Sequence, residues 1–240
     1  MKNRSSNFNK EIIHSSAIYI SASLLLYFQT HYVIPYLSSV SSEETILFWF
    51  VVAGLGVFLP LVLVGLFILK TEGLELNKNT FINRLRFKKL TIKDISLSLL
   101  GLLSVVILSA LIMFLLELLI GNFNHTPAFM NFTPLTTGRY WLLIVWFPYW
   151  ILNILGEEFL WRGIMLPKQE KAFGKFAWLI SGTGWGIFHI AFGWQLLITL
   201  IPLIYIQTYL VQKTKNTWVG VLMHAGLNGP SFILISLGLL

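Results

Sequence analysis

Cysteine is absent from the 240-residue chain, which excludes disulfides, a thiol nucleophile and any thiolate metal site. Aspartate occurs once, as Asp94 in a basic stretch. Charge is scarce as well: only 11% of residues are Asp, Glu, Lys or Arg, against about a quarter in an ordinary soluble domain. What replaces it is hydrophobic, 56% of the chain, gathered in apolar runs of about 20 residues. A soluble fold would need many buried helices and almost no surface, so the composition points to an all-α polytopic transmembrane helical bundle. No early apolar run ends in a small-residue cleavage site, and the first span is expected to direct insertion itself.

Hydropathy predicts about seven spans, near 16–37, 46–69, 95–120, 140–157, 176–192, 196–212 and 217–240. One membrane domain, 1–240, accounts for the chain. Of its 17 basic residues all but Arg139 fall on one face of this arrangement. The positive-inside rule makes that face cytoplasmic, with the N-terminus inside and the C-terminus outside. An integral membrane protein is expected, with the lipid bilayer as partner and no nucleic acid. The basic segment "NRLRFKKLTIKD", 83–94, reads equally well as an amphipathic surface helix or as a solvated loop. The opposite loop, 121–138, is rich in Asn, Thr, Pro and Gly and reads as irregular.

Ionisable groups at membrane depth are costly and call for pairing or function. Glu117, near the outer end of span three, is expected to reach the interface. In "LGEEFLWRGIML", residues 155–166, Glu158 and Arg162 stand one i,i+4 step apart in the favourable acid-first order, where Arg can hold a carboxylate bidentately. Glu157 points about 100° away around the helix and is left to face another space. A helix end with acids and a base meeting water accounts for this pattern equally well. Farther on, "GTGWGIFHIAFG" puts His189 in the middle of span five with Trp185 one turn earlier. Gly182, Gly184 and Gly186 in the same stretch allow close approach of neighbours. "VLMHAGLNGP" places His224 and Asn228 at i,i+4 on span seven. His14, His31 and His125 lack such company and receive no role.

A carboxylate, two imidazoles and an amide converging in a bundle can take a proton from water and stabilise an oxyanion, which is what amide hydrolysis requires. The same set can supply a His-His-Glu zinc site with an open position. Other intramembrane protease chemistries find no material: His-Glu-x-x-His is absent, one aspartate cannot form a pair, and Ser181 in "SGTG" lacks the setting of a serine protease.

"EEFLWR" (157–162), "WGIFH" (185–189) and "HAGLN" (224–228), in that order, resemble the motifs of the CAAX protease and bacteriocin-processing enzyme family, also called Abi. The family pattern is E-E-x-x-x-R, F-x-x-x-H and H-x-x-x-N/D, and Trp185 departs from it by replacing phenylalanine with another bulky aromatic. The similarity covers about 140–230, the expected protease core. It implies that Glu157 activates the attacking water with the help of His189. His224 and Asn228 then bind the oxyanion, while Glu158 and Arg162 orient the site. Family members are often called metalloproteases; zinc on Glu157, His189 and His224 is therefore the alternative. Asn228, a poor zinc ligand, favours water activation with no cofactor. The expected function is an intramembrane endopeptidase acting on a membrane-associated peptide or membrane-protein substrate. The alternative is a bacteriocin immunity or membrane-partner-binding protein that needs no proteolysis.

Overall fold

The computed structural model describes residues 2–130 and 133–239, with side chains from Glu11 onward. The side chains of Lys2, Arg4 and Lys10, residues 131–132 of the outer loop, and Leu240 at the end of span seven lie outside the described ones. Lipid offers no partner to backbone N–H and C=O groups, so apolar runs this long satisfy them within helices. Among the described residues every regular element is helical. Helix α1 (Lys2–Phe28) continues through a π-helical turn into α2 (Ile34–Val40). A short α3 (Thr45–Phe48) and the π-helical stretch Trp49–Phe58 lead into α4 (Leu59–Thr71). Helix α5 (Ile92–Ile120) starts at a capping box formed by Thr91 and Asp94, which satisfies two otherwise orphaned backbone donors.

Among the described residues, six helical runs are long and apolar enough to cross a membrane. The fourth, Leu142–Phe192, has 51 residues, about 77 Å of helix if straight and more than twice the hydrocarbon thickness of a bilayer. It folds back on itself. Helix α6 (Leu142–Glu157) passes through a π-helical stretch, Glu158–Met165, into α7 (Leu166–Phe173). The chain reverses at Gly174, whose φ of +58° disfavours any side chain. It returns as α8 (Ala177–Phe188), which packs on α7. Spans four and five are thus both present, and the protein is an integral all-α bundle of the expected kind. Helix α9 (Trp194–Thr214) lies against α5, α8 and α10 (Thr217–Ser236). Helix α5 is the outer member: it buries Ser98, Gly101 and Val105 and turns Leu99, Leu103, Ile107 and Leu111 outward, the pattern of a lipid-facing helix.

Gly184 lets α8 close on α1, since a Cβ there would lie 2.3 Å from the Tyr19 ring. Gly182 makes a similar approach to Tyr205, whereas Gly186 has ordinary room.

The basic loops meet at one end of the bundle. Glu72 accepts from Arg84 at 2.7 and 2.8 Å and lies 3.4 Å from Lys168. Glu170 accepts from Arg86 at 2.8 and 2.9 Å and from Lys215 at 2.5 Å. At the opposite end Arg139 pairs with Glu44 and donates to the carbonyls of Thr133 and Pro134. Glu117 closes the outer end of α5 by accepting from the N–H groups of Asn122 and Phe123.

The 83–94 segment is neither an amphipathic helix nor a solvated loop. After one π-helical turn, Thr80–Arg84, it runs without regular structure to Thr91. Leu85 and Phe87 are buried, Phe87 stacks on Phe81 at 4.4 Å, and the carbonyls of Leu85 and Arg86 accept from Thr217. Its apolar residues go inward because the ion pairs above tether it across the helix ends.

The Arg84 guanidinium holds the Glu72 carboxyl below its ordinary value of 4.5. A carboxyl depressed by folding contributes stability that is present above the unfolded value and lost as pH falls through the folded one. Glu72→Gln is therefore expected to flatten the acid limb of thermal stability below pH 4.5. The pair is partly exposed, so the contribution is about 1 kcal/mol or less; calorimetry of both proteins from pH 7 downward measures it.

Candidate active site

Three buried polar helix faces meet where α6 turns π-helical. A π-helical segment inserts an i→i+5 turn and recurs at functional sites. Here it begins at Glu158, immediately after Glu157. The two glutamates diverge, as their adjacency on a helix requires. Glu157 Oε1 accepts from Asn153 Nδ2 at 2.8 Å and its Oε2 from the Trp185 indole at 2.5 Å. Glu158 Oε1 accepts from Gln207 Nε2 at 2.7 Å and from His224 Nδ1 at 3.0 Å. Both carboxylates are buried, with 1% and 0% exposure, which decides against a helix end meeting water.

Arg162 pairs with Glu158, but not as a fork on a carboxylate. Its Nη1 is 3.5 Å from Glu158 Oε1, its Nη2 donates to Thr208 Oγ1 at 3.1 Å, and its Cζ lies 3.7 Å from the centroid of the Trp185 ring. The amide of Gln207 and the imidazole of His224 occupy the carboxylate oxygen a bidentate arginine would take, so the guanidinium lies over the indole instead. Glu158 Oε2 faces Gly220, where a Cβ would come within 2.2 Å. Glycine is the residue that leaves this carboxylate its space.

His189 is not mid-helix. Helix α8 ends at Phe188, and His189 opens a 3₁₀ turn that Gly193 closes, about 18 Å along the helix from Ala177. Its Nδ1 bonds the carbonyl of Trp185 at 2.8 Å. A carbonyl only accepts, so Nδ1 carries the proton and Nε2 presents a lone pair. His224, about 10 Å in from the start of α10, donates Nδ1–H to Glu158 by the same logic. Both imidazoles stand edge to face against Trp185, at 5.2 and 5.5 Å. Asn228 reaches Asn153 Oδ1 at 3.4 Å, linking the two asparagines to Glu157.

All six candidate residues therefore gather in one place. Asn153, Gln207 and Thr208 join them unannounced by the motif reading. Asn153 sits four residues before Glu157 in "NILGE", a spacing that puts both on one helix face. Gln207 and Thr208 are two polar residues inside an apolar span, the kind of departure that marks an intramembrane polar contact. His31 also has a partner after all: its Nε2 donates to the carbonyl of Ala191 at 2.9 Å, steadying the turn that holds His189.

A zinc ion needs three or four converging ligands. Among the described residues no group of three His, Asp or Glu side chains is placed to hold one. Each Glu157 oxygen accepts one hydrogen bond, from Asn153 and from Trp185, and His224 turns Nδ1 to Glu158. Glu157, His189 and His224 are not placed as a converging set for the zinc alternative, and no chemical step is routed through a metal.

The Asn153 link is accessible to unfolding measurements. Asn153→Ala removes one of the two side-chain donors on Glu157 among the described residues and the acceptor of Asn228. A charge-assisted hydrogen bond contributes about 1.5–3 kcal/mol, so the variant is expected to lose about that much stability; denaturation of wild-type and variant protein in the same detergent measures it.

Residues 139–229, the stretch that supplies α6, the π-helical turn, α8 and most of α10, match the family model described as type II CAAX prenyl endopeptidase Rce1-like. No curated protein and no solved structure matches the chain. Through this segment, with all three motifs at one buried site, the chain is similar to that family.

Proposed function

We propose that the protein is an intramembrane endopeptidase, its core near residues 140–230, that hydrolyses a peptide bond in a membrane-associated peptide or membrane protein. The observation that carries the reading is Glu157: a buried carboxylate on a separate face from the Glu158–Arg162 pair, with two neutral donors orienting it. Each of its oxygens keeps a second lone-pair direction with which to receive a proton from water.

The water, so activated, adds to the substrate carbonyl carbon. The oxyanion that forms is met by the Asn228 amide and by Nε2 of His224 when that nitrogen is protonated, with Glu158 across Nδ1 balancing the charge. The proton taken by Glu157 passes to the leaving amine as the C–N bond breaks. The unprotonated Nε2 of His189 orients the water or relays that proton. Arg162 and Gln207 hold Glu158, and Glu158 in turn holds His224. Apart from buried Arg162 and outer Arg139, the basic residues of the chain fall on one side of the hydropathy pattern, which supports a cytoplasmic N-terminus.

Mass spectrometry of membranes from cells with wild-type protein or with Glu157→Gln tests the reading. New peptide ends confined to the wild type support it. Protection against a membrane-active peptide that survives both Glu157→Ala and His224→Ala, with no new ends, favours the binding alternative. Cleavage lost on chelation and restored by zinc moves water activation onto a metal.

A further inference from the structure

Trp185 touches Glu157, Arg162 and both histidines of the site. Its indole N–H donates to Glu157 Oε2 at 2.5 Å. Its ring face lies 3.7 Å under the Arg162 guanidinium, and both histidine rings stand edge-on to it. Its carbonyl accepts from His189 Nδ1. The side chain is 1% exposed, and its N–H is one of two side-chain donors on Glu157 among the described residues. A phenylalanine here would keep the bulk and a cation–π face, but it has no hydrogen to donate.

We propose that Trp185 is a positioning residue for the reaction: its indole N–H fixes the Glu157 carboxylate while its ring face holds Arg162 beside Glu158. This rests on the reading of Glu157 as the base. Two physical consequences follow from the one side chain. The N–H locks the carboxylate plane against rotation, leaving the remaining lone pairs aimed in a set direction. The ring separates the Glu157 and Glu158–Arg162 faces, so the arginine neutralises Glu158 without taking Glu157 from the water. Two carboxylates and one cation thus hold different tasks within one small volume, and the tryptophan is the wall between them.

The test separates the hydrogen from the bulk. Site-specific replacement of Trp185 by 3-benzothienylalanine keeps the bicyclic shape and the π-face and removes only the N–H. With a pooled library of membrane-spanning apolar peptides as probe, this variant is expected to lose about ten- to a hundredfold in kcat, with KM within about twofold. Trp185→Phe is expected to lose at least as much. Independently of activity, the indole proton of Trp185 in ¹⁵N-tryptophan-labelled protein in nanodiscs is assigned by its loss in Trp185→Phe. It is expected downfield of the other indoles and is expected to return toward them in Glu157→Gln. A benzothienylalanine protein with wild-type kcat, or an indole resonance that Glu157→Gln leaves unmoved, overturns the proposal. Wild-type cleavage by Glu157→Gln protein overturns the proposed function instead, and the resonance still decides whether the bond exists.

Discussion

Glu157→Gln protein is expected to assemble its bundle and to cleave about 10²- to 10⁴-fold more slowly than wild type, the range a positioned general base contributes. The substitution keeps size and removes the ability to take a proton. It also sharpens the local account, because both neighbours of Glu157 are donors. A carboxylate accepts on both oxygens, whereas an amide accepts on one and presents N–H groups on the other. One donor must then face a donor, at about 1–3 kcal/mol for the unmet group. Asn153 can relieve the conflict by turning its amide over, but only by losing its acceptance from Asn228. The variant is therefore expected to show a modestly lower thermal midpoint together with a very large loss of rate. Equal loss of both would mean that Glu157 is a structural residue, and circular dichroism melts alongside the rate measurement decide between them.

Arg162→Met is expected to produce the largest stability effect in the molecule, about 3–5 kcal/mol, as when one partner of a buried ion pair is removed. Arg162 and Glu158 are both fully buried. Without the guanidinium, the Glu158 carboxylate retains the Gln207 amide and the His224 imidazole but no fixed cation. The double variant Glu158→Gln/Arg162→Met removes both charges. It is expected to recover much of the loss, since a neutral buried pair lacks the penalty of a lone ion. Unfolding of the two variants in the same detergent measures the difference. A single variant as stable as wild type would contradict the pairing.

The parts of the site that were legible in the sequence were those with short spacing. Glu158 and Arg162 are four apart, His224 and Asn228 are four apart, and Glu157 differs from Glu158 by one helical step. Local geometry alone sends these side chains to their faces. What holds Glu158 comes from α9 and α10, 49 and 66 residues away, and no spacing rule brings those helices together. The Glu158–Arg162 pair was expected as a fork and is a looser contact at 3.5 Å, because Gln207 and His224 fill the position first. Trp185 was legible as bulk and not as a donor, since its hydrogen bond depends on α8 lying across α6. Asn153 was within reach of the i,i+4 rule. One amide in an apolar helix stands out less than a charge does.

The fold shows the same division. Hydropathy placed the apolar runs, and charge asymmetry put the basic loops together, where Glu72 and Glu170 now bind them. The π-helical stretches could not be read, because their residues suit an α-helix as well. The 83–94 segment eluded both readings for a related reason. Its alternating basic and apolar residues fit a surface helix, while tertiary ion pairs and the burial of Leu85 and Phe87 hold it in an irregular path.

The most direct test of the central claim, that Glu157 activates water to cut a peptide bond inside the bundle, is hydrolysis in heavy-oxygen water. Purified wild-type protein in liposomes with pooled membrane-spanning peptides is expected to yield new C-termini carrying one heavy oxygen each, read by mass spectrometry. Glu157→Gln protein at equal folded amount is expected to yield them about 10²- to 10⁴-fold more slowly. The same labelled ends appearing at the same rate from the Glu157→Gln protein would contradict the account.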